Sequence, residues 1–266
     1  MNAVLQLNNL LKEVTQGNRP IAAEEIVALI ANYRLLPRLV GELIVDRAIA
    51  SFTCTKEETD SAYQQFCSQH RITGDKERRL WLDEHYMTLE QLKELVARKL
   101  KIAKFKQANW GDKVESYFHQ RKPQLDRVIY SLIRVSDGDL ALELYFRLIE
   151  GEASFSDLAR QYSEGTQARA GGVHSAVELG NCPLSLAKMF SASLAGQVWY
   201  PLPIDGSIVI VKLEQYISAQ LDSQMRQRLL DEMFATWLQE QVTNRCREGL
   251  ATSQNSKIEA LNSVTL

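Results

Sequence analysis

Two widely separated apolar runs constrain this chain more than anything else in it. Val128-Ile129-Tyr130-Ser131-Leu132-Ile133 and Ser207-Ile208-Val209-Ile210-Val211-Lys212-Leu213-Glu214 have the Val, Ile and Tyr content of buried strands. Between them the periodicity changes. Leu140, Leu142, Leu144, Tyr145, Leu148 and Ile149 recur at three- and four-residue spacings, so a helix is expected there. Gly151 supplies the left-handed cap that ends it. Phe155–Glu164 reads as a second short amphipathic helix. A Gly-rich turn at Ala170-Gly171-Gly172 leads into a polar loop, and a third short helix is expected near Leu184–Ala192. Strand, helix, helix, loop, helix, strand in this order makes a small α+β domain.

Several words inside that span occur in a fixed order: Gly151-Glu152-Ala153-Ser154-Phe155-Ser156-Asp157-Leu158-Ala159, Tyr162-Ser163-Glu164, Gly171-Gly172, Ala195-Gly196-Gln197-Val198 and Ile210-Val211-Lys212-Leu213-Glu214. In order and spacing they resemble the parvulin (PpiC-type) peptidyl-prolyl cis-trans isomerase domain. The resemblance implies an antiparallel sheet surrounded by helices and a peptide groove. It implies no metal or organic cofactor. The chemistry of such an enzyme is rotation about an X-Pro bond against a barrier of roughly 18–20 kcal/mol, set by amide resonance. The barrier falls when the protein binds the twisted amide better than either planar isomer.

Parvulins do this with two histidines on the central strands, an Asp or Cys after the Tyr/Phe-Ser-Glu/Asp word, and a pocket lined by Met and Phe. Carried over residue by residue, the first histidine position is matched by Ser131 and the second by Val209. The acid or thiol position falls on Gly165. The pocket positions fall near His174, Cys182 and Leu186, and Met189 completes the expected peptide-binding set. No residue is assigned a catalytic role, and weak or absent rotation is expected. By default, a lone loop histidine such as His174 is a solvated surface residue, and Cys182 a small apolar filler rather than a nucleophile.

Composition narrows the function classes. The chain has 266 residues, 45% apolar and 24% charged, with net charge −2. A nucleic-acid binder would show a basic face, which this balance does not suggest. Cys54, Cys67, Cys182 and Cys246 lack metal-ligand spacing and fit thiols in a reducing compartment. Met1–Leu10 has no basic n-region and no long apolar core, so a cytoplasmic protein without membrane insertion is expected, periplasmic if a signal was removed.

The residues before the domain read as helices throughout. Val4, Leu7, Leu10 and Leu11 form one stripe, closed by Gly17–Pro20. Ile26, Leu29, Ile30 and Tyr33 form the next, and Pro37 opens a third helix. Thr55-Lys56-Glu57-Glu58 is a capping box, and Thr88-Leu89-Glu90-Gln91 is a second cap. Asp112 and Glu115 start a short helix that Lys122-Pro123 is expected to break. After the last strand, Asp222 caps a helix with Met225, Leu229, Met233 and Trp237 on one side, and Gly249 is its expected stop. This helical block is similar to the N-terminal chaperone domain of SurA-type and PrsA-type folding factors.

The expected organisation is α+β overall. Residues 1–122 form an all-helical SurA-like domain, and 123–217 the parvulin-like domain. Residues 218–250 form a C-terminal helix packing on the helical domain, in the same chain or exchanged in a homodimer, and 251–266 a flexible tail. The expected work is that of a folding factor binding extended, unfolded or proline-containing polypeptide, with isomerase activity weak or lost. A fully active isomerase is the first alternative, and a non-catalytic module for one specific partner the second.

Overall fold

Thr55 and Thr88 start their helices as their neighbours dictate. In a computed structural model that describes residues 22–263, Thr55 Oγ1 accepts from Glu58 N while Glu58 Oε2 accepts from Thr55 N. Thr88 and Gln91 repeat the exchange. Each box satisfies two amides that the first helical turn leaves without partners. The stripe at Val4–Leu11 and the turn at Gly17–Pro20 lie outside the described residues.

The chain divides into two units, Met1–Asp112 with Gln227–Leu266, and Lys113–Arg226. The first contains α1 (Ala23–Asn32), α2 (Leu36–Ile49), α3 (Lys56–Gln69), α4 (Asp75–Glu84) and α5 (Leu89–Trp110). Pro37 occupies the first turn of α2, where its missing N–H costs nothing. Phe66, Leu92 and Val96 form one core among α3, α4 and α5, joined by Tyr63, Ile72 and Trp81.

The second unit opens with α6 (Val114–Leu125). Pro123 lies inside this helix rather than ending it at Lys122. The helix stops two residues later, so the proline removes little of the hydrogen-bond ladder. Then come β1 (Arg127–Val135), α7 (Gly138–Ile149), α8 (Phe155–Tyr162), β2 (Val173–Glu178), α9 (Leu184–Ser191), β3 (Leu202–Ile204) and β4 (Ser207–Ile217). The stretch read from sequence as a polar loop after Gly172 is therefore partly a strand. Val-His-Ser-Ala-Val-Glu carries only weak alternation, and pairing with β1 makes it extended.

The four strands form one antiparallel sheet in the order β2-β1-β4-β3. Side chains alternate across it. One face carries Ile133, Val135 and Ile210 against Ala141 and Leu144 of α7 and Phe155, Leu158 and Ala159 of α8. The other carries Tyr130, Leu132, Val209, Val211 and Leu213 against Leu186 and Phe190 of α9. Asp126, 6% exposed, ties the start of β1 to the end of β4. Its carboxylate accepts from Lys122 Nζ, Tyr216 Oη and Ala219 N, each at 2.7 Å.

The last helix, α10, runs Ser223–Ser263. Asp222 caps it by accepting from Met225 N. It continues past Gly249 and into the segment expected to be a tail, as far as Ser263. One glycine costs only about 1 kcal/mol in a helix, and the residues beyond it include the helix formers Ala, Gln, Lys, Glu and Leu. Within α10, Phe234, Trp237 and Leu238 pack on Val45, Ile49 and Phe105 of α2 and α5. Phe105 is the hub, its ring centroid 5.1 Å from Trp237, 5.6 Å from Trp110 and 5.9 Å from Phe52. Among the described residues no helix is long and apolar enough to cross a membrane.

Candidate functional site

The sheet face beneath α9 opens into a cavity of about 260 Å³. Leu132, Pro183, Leu186 and Ile204 make its apolar part, with Tyr130, Arg134 and His174 along the strands. The loop after α8, Ser163–Thr166, and Asp205 of the β3–β4 turn close its rim.

Alternation along β1 decides which side chains reach it. Tyr130, Leu132 and Arg134 share the cavity face, so Ser131 points the other way. Ser131 is 1% exposed, and its hydroxyl donates to Glu214 Oε1 at 2.7 Å. Glu214 also pairs with Lys212 at 2.8 Å. Ser131, expected at the family's first histidine position, therefore belongs to a polar cluster on the opposite face, and Leu132 is the residue presented to the cavity. Val209 does share the cavity face, opposite Arg134 in the β1–β4 register, but it is fully buried in the core. Gly165 lies on the rim at φ +120°, a conformation that suits glycine.

Of the expected peptide-binding residues, His174 and Leu186 line the cavity. Cys182 and Met189 do not: both pack against the core cluster. The Cys182 thiol contacts Glu178 O at 3.7 Å, and burial pushes its pKa up, against thiolate formation. The reason is the loop geometry between β2 and α9, which turns Pro183 rather than Cys182 to the cavity.

His174 is a half-buried residue of β2, not a solvated loop residue. It pairs with Tyr130 in the sheet, and the two rings stack at 4.5 Å with 8° between their planes. Phe190 of α9 also leans on Tyr130, its ring centroid 4.9 Å away. Burial lowers the His174 pKa and the nearby Arg134 charge lowers it further, so the imidazole is held neutral. Burial raises the Tyr130 pKa, aided by Cys182 and opposed by Arg134. The cavity thus offers a neutral imidazole, a neutral phenol and a guanidinium around an apolar floor. Tyr130 and Arg134 were missed from sequence, though period-two alternation through β1 places them with Leu132. Among the described residues no group of three His, Cys, Asp or Glu is gathered to hold a metal.

Gly172 sets how close β2 can enter. At φ +79°, its carbonyl accepts from Leu132 N at 2.9 Å. A Cβ there would lie 2.6 Å from Leu132 O.

The protein family described as "Rotamase: PPIC-type PPIASE domain" matches residues 135–215. Among solved structures, the chain is similar to the peptidylprolyl isomerase PrsA from Bacillus anthracis, with 22% identity, 79% of this chain and 97% of that one covered, and a TM-score of 0.45. PrsA from Bacillus cereus matches at 19% identity over 85% of this chain and 88% of that one, with a TM-score of 0.47. The parvulin domain of PpiD from E. coli matches at 25% identity over 38% of this chain and 97% of that domain, with a TM-score of 0.32. No curated protein matches. The segment 135–215, which supplies most of the cavity wall, is a PpiC-type domain.

Proposed function

We propose that the cavity seats the proline side of an extended polypeptide, and that the chain works as a folding factor in which X-Pro rotation is slow or lost. One observation carries this: the cavity is apolar where a proline ring would sit, while neither central strand presents an imidazole to it, and the one imidazole on its wall, that of His174, comes from the edge strand β2 and lies stacked on Tyr130. Leu132 occupies the β1 position and β4 offers only buried Val209 and Val211. Shape and apolar surroundings are enough to bind a prolyl peptide. Rapid rotation additionally needs polar groups placed where the carbonyl passes in the twisted state.

The helical unit supports the polypeptide-binding part. Val27, Tyr33 and Leu43 are 66%, 68% and 60% exposed, apolar surface of the kind that engages unfolded chains. The four free thiols are scattered and half-buried, which suits a reducing compartment.

The test is prolyl exchange NMR on short X-Pro peptides with the whole protein, alongside a Leu186→Trp variant that fills the cavity. Line broadening lost in Leu186→Trp, without faster exchange, is the expected result. Fast exchange abolished by the same variant would restore an active isomerase. No broadening and no exchange with any peptide would sink the reading.

A further inference from the structure

We propose that the furrow between α2 and α10 docks an amphipathic helical segment of another polypeptide, its apolar stripe bracketed by two carboxylates about two turns apart. The inference deepens the polypeptide-binding half of the reading above and rests on it, but it is independent of the prolyl cavity.

α2 is apolar on two sides, although packing inside the helical unit uses one. Gly41, Val45 and Ile49 are its buried side. Val40, Leu43 and Ile44 lie on another side, at the three- and four-residue spacing by which one helix packs on another. A single apolar stripe is enough to hold a helix on its core, so a second one marks a second partner. With Trp237 of α10, these residues line an open cavity of about 400 Å³. Leu36, one turn before Val40, is exposed as well and prolongs the stripe.

Charge decides what fits there. The two acids of α2, Glu42 and Asp46, are both held by Arg98 of α5, at 2.7 and 2.6 Å. The cavity lining contains no carboxylate and two guanidiniums, those of Arg47 and Arg245. Arg47 forms no ion pair with a described residue, and Arg245 pairs with Glu248 of its own helix at 3.0 Å. Such an exposed pair is weak, so a carboxylate in the furrow can share the guanidinium.

Spacing sets the form of the ligand. Gly41 faces Val242, whose Cγ2 would lie 3.5 Å from a Cβ on the glycine. Val45 and Ile49, further along α2, meet Phe234, Trp237 and Leu238, which come earlier in α10, so the two helices run antiparallel. Arg47 lies six residues beyond Gly41 and Arg245 three beyond Val242, in opposite directions, which puts their Cα atoms about 13–14 Å apart along the furrow. Long helical side chains lean over the turn before their own Cα. Between antiparallel helices that brings both guanidiniums inward, onto the one cavity they line. Positions i and i+7 of a docked helix are about 10.5 Å apart on one face, which matches two groups leaning inward. An extended segment would find no backbone partners between two helices, whereas a helix brings its own hydrogen bonds.

The test measures affinities of the full chain for fluorescent, proline-free peptides that carry one leucine stripe. Two isomers share a composition: one has Glu at i and i+7 beside the stripe, the other has both Glu on the opposite face. The first is expected to bind about three- to tenfold tighter. Arg47→Glu combined with Arg245→Glu should abolish that preference and favour the matching Lys peptide. Leu43→Asp should weaken both isomers and Leu186→Trp neither, with circular dichroism checking that each variant stays folded. Equal affinities for the two isomers would overturn the proposal. A doubling of mass without peptide, abolished by Leu43→Asp, would assign the furrow to a second copy of the chain and overturn it too. In either case, prolyl peptides broadened by the full chain and not by Leu186→Trp would leave the folding-factor reading standing, and loss of that broadening as well would overturn both.

Discussion

The ring of His174 stacks on the ring of Tyr130 at 4.5 Å, with their planes 8° apart. The pair joins the edge strand β2 to the central strand β1 and forms one wall of the cavity. The imidazole is half-buried there and faces the cavity.

That arrangement sets a sign. The His174 pKa is depressed below 6.5, by burial and then by the Arg134 charge. The unfolded chain therefore takes up a proton first as pH falls. The contribution of neutral His174 to stability is complete above about pH 6.5 and declines as pH drops through the folded-state value. In an NMR titration His174 should have a midpoint below 6.5, and Arg134→Gln should move it upward. A midpoint at or above 6.5 would refute the stacked, neutral ring.

Asp126 is the second point of leverage. Burial raises the pKa of its carboxyl, but hydrogen bonds from Lys122, Tyr216 and Ala219 outweigh this and hold it below 3.8. Its contribution is present above that value and is lost as pH falls through the folded pKa. Tyr216 answers from the other side, its phenol pushed up to about 12 by burial and by Asp126. Asp126→Ala should cost about 2–3 kcal/mol, since three donors lose one acceptor. Tyr216→Phe should cost about 1 kcal/mol. Urea denaturation measures both, and equal losses would show that Asp126 does not integrate the three donors.

Gly172→Ala should be among the most damaging single changes in the domain. The new Cβ adds a left-handed backbone cost of about 1–2 kcal/mol to an approach of 2.6 Å on Leu132 O. A total of roughly 2–4 kcal/mol is expected, with the Tyr130 and Leu132 amide resonances shifted. A loss below about 1 kcal/mol, the centre of ordinary single-substitution effects, would mean that β2 relaxes away from β1 freely.

Phe105→Ala tests the helical unit. The ring contacts Phe52, Trp110, Phe234 and Trp237, so its removal should cost about 3–5 kcal/mol and change the tryptophan fluorescence. A chain ending before Gln227 should lose the cooperative unfolding of this unit, because Phe234, Trp237 and Leu238 leave its core. An unaltered transition would show that α2 and α5 are stable without α10.

What the sequence determined by itself was local. The caps at Thr55 and Thr88, the proline in the first turn of α2, the left-handed Gly151 at φ +74° and the two long strands each depend on a few neighbouring residues. Such signals can be read within one turn or one apolar run, although the strands still take their hydrogen bonds from each other. The tertiary structure alone decided what depends on pairing and register. A one-residue difference in register exchanges the two faces of a strand, so Ser131 lies on Glu214 while Leu132 and Arg134 meet the cavity. Val173–Glu178 became a strand because β1 supplied its hydrogen bonds. His174, expected at the surface, became a half-buried ring stacked on Tyr130 for the same reason. Pro123 was absorbed at the end of α6, and α10 passed through Gly249, since favourable neighbours outweigh one poor helix former.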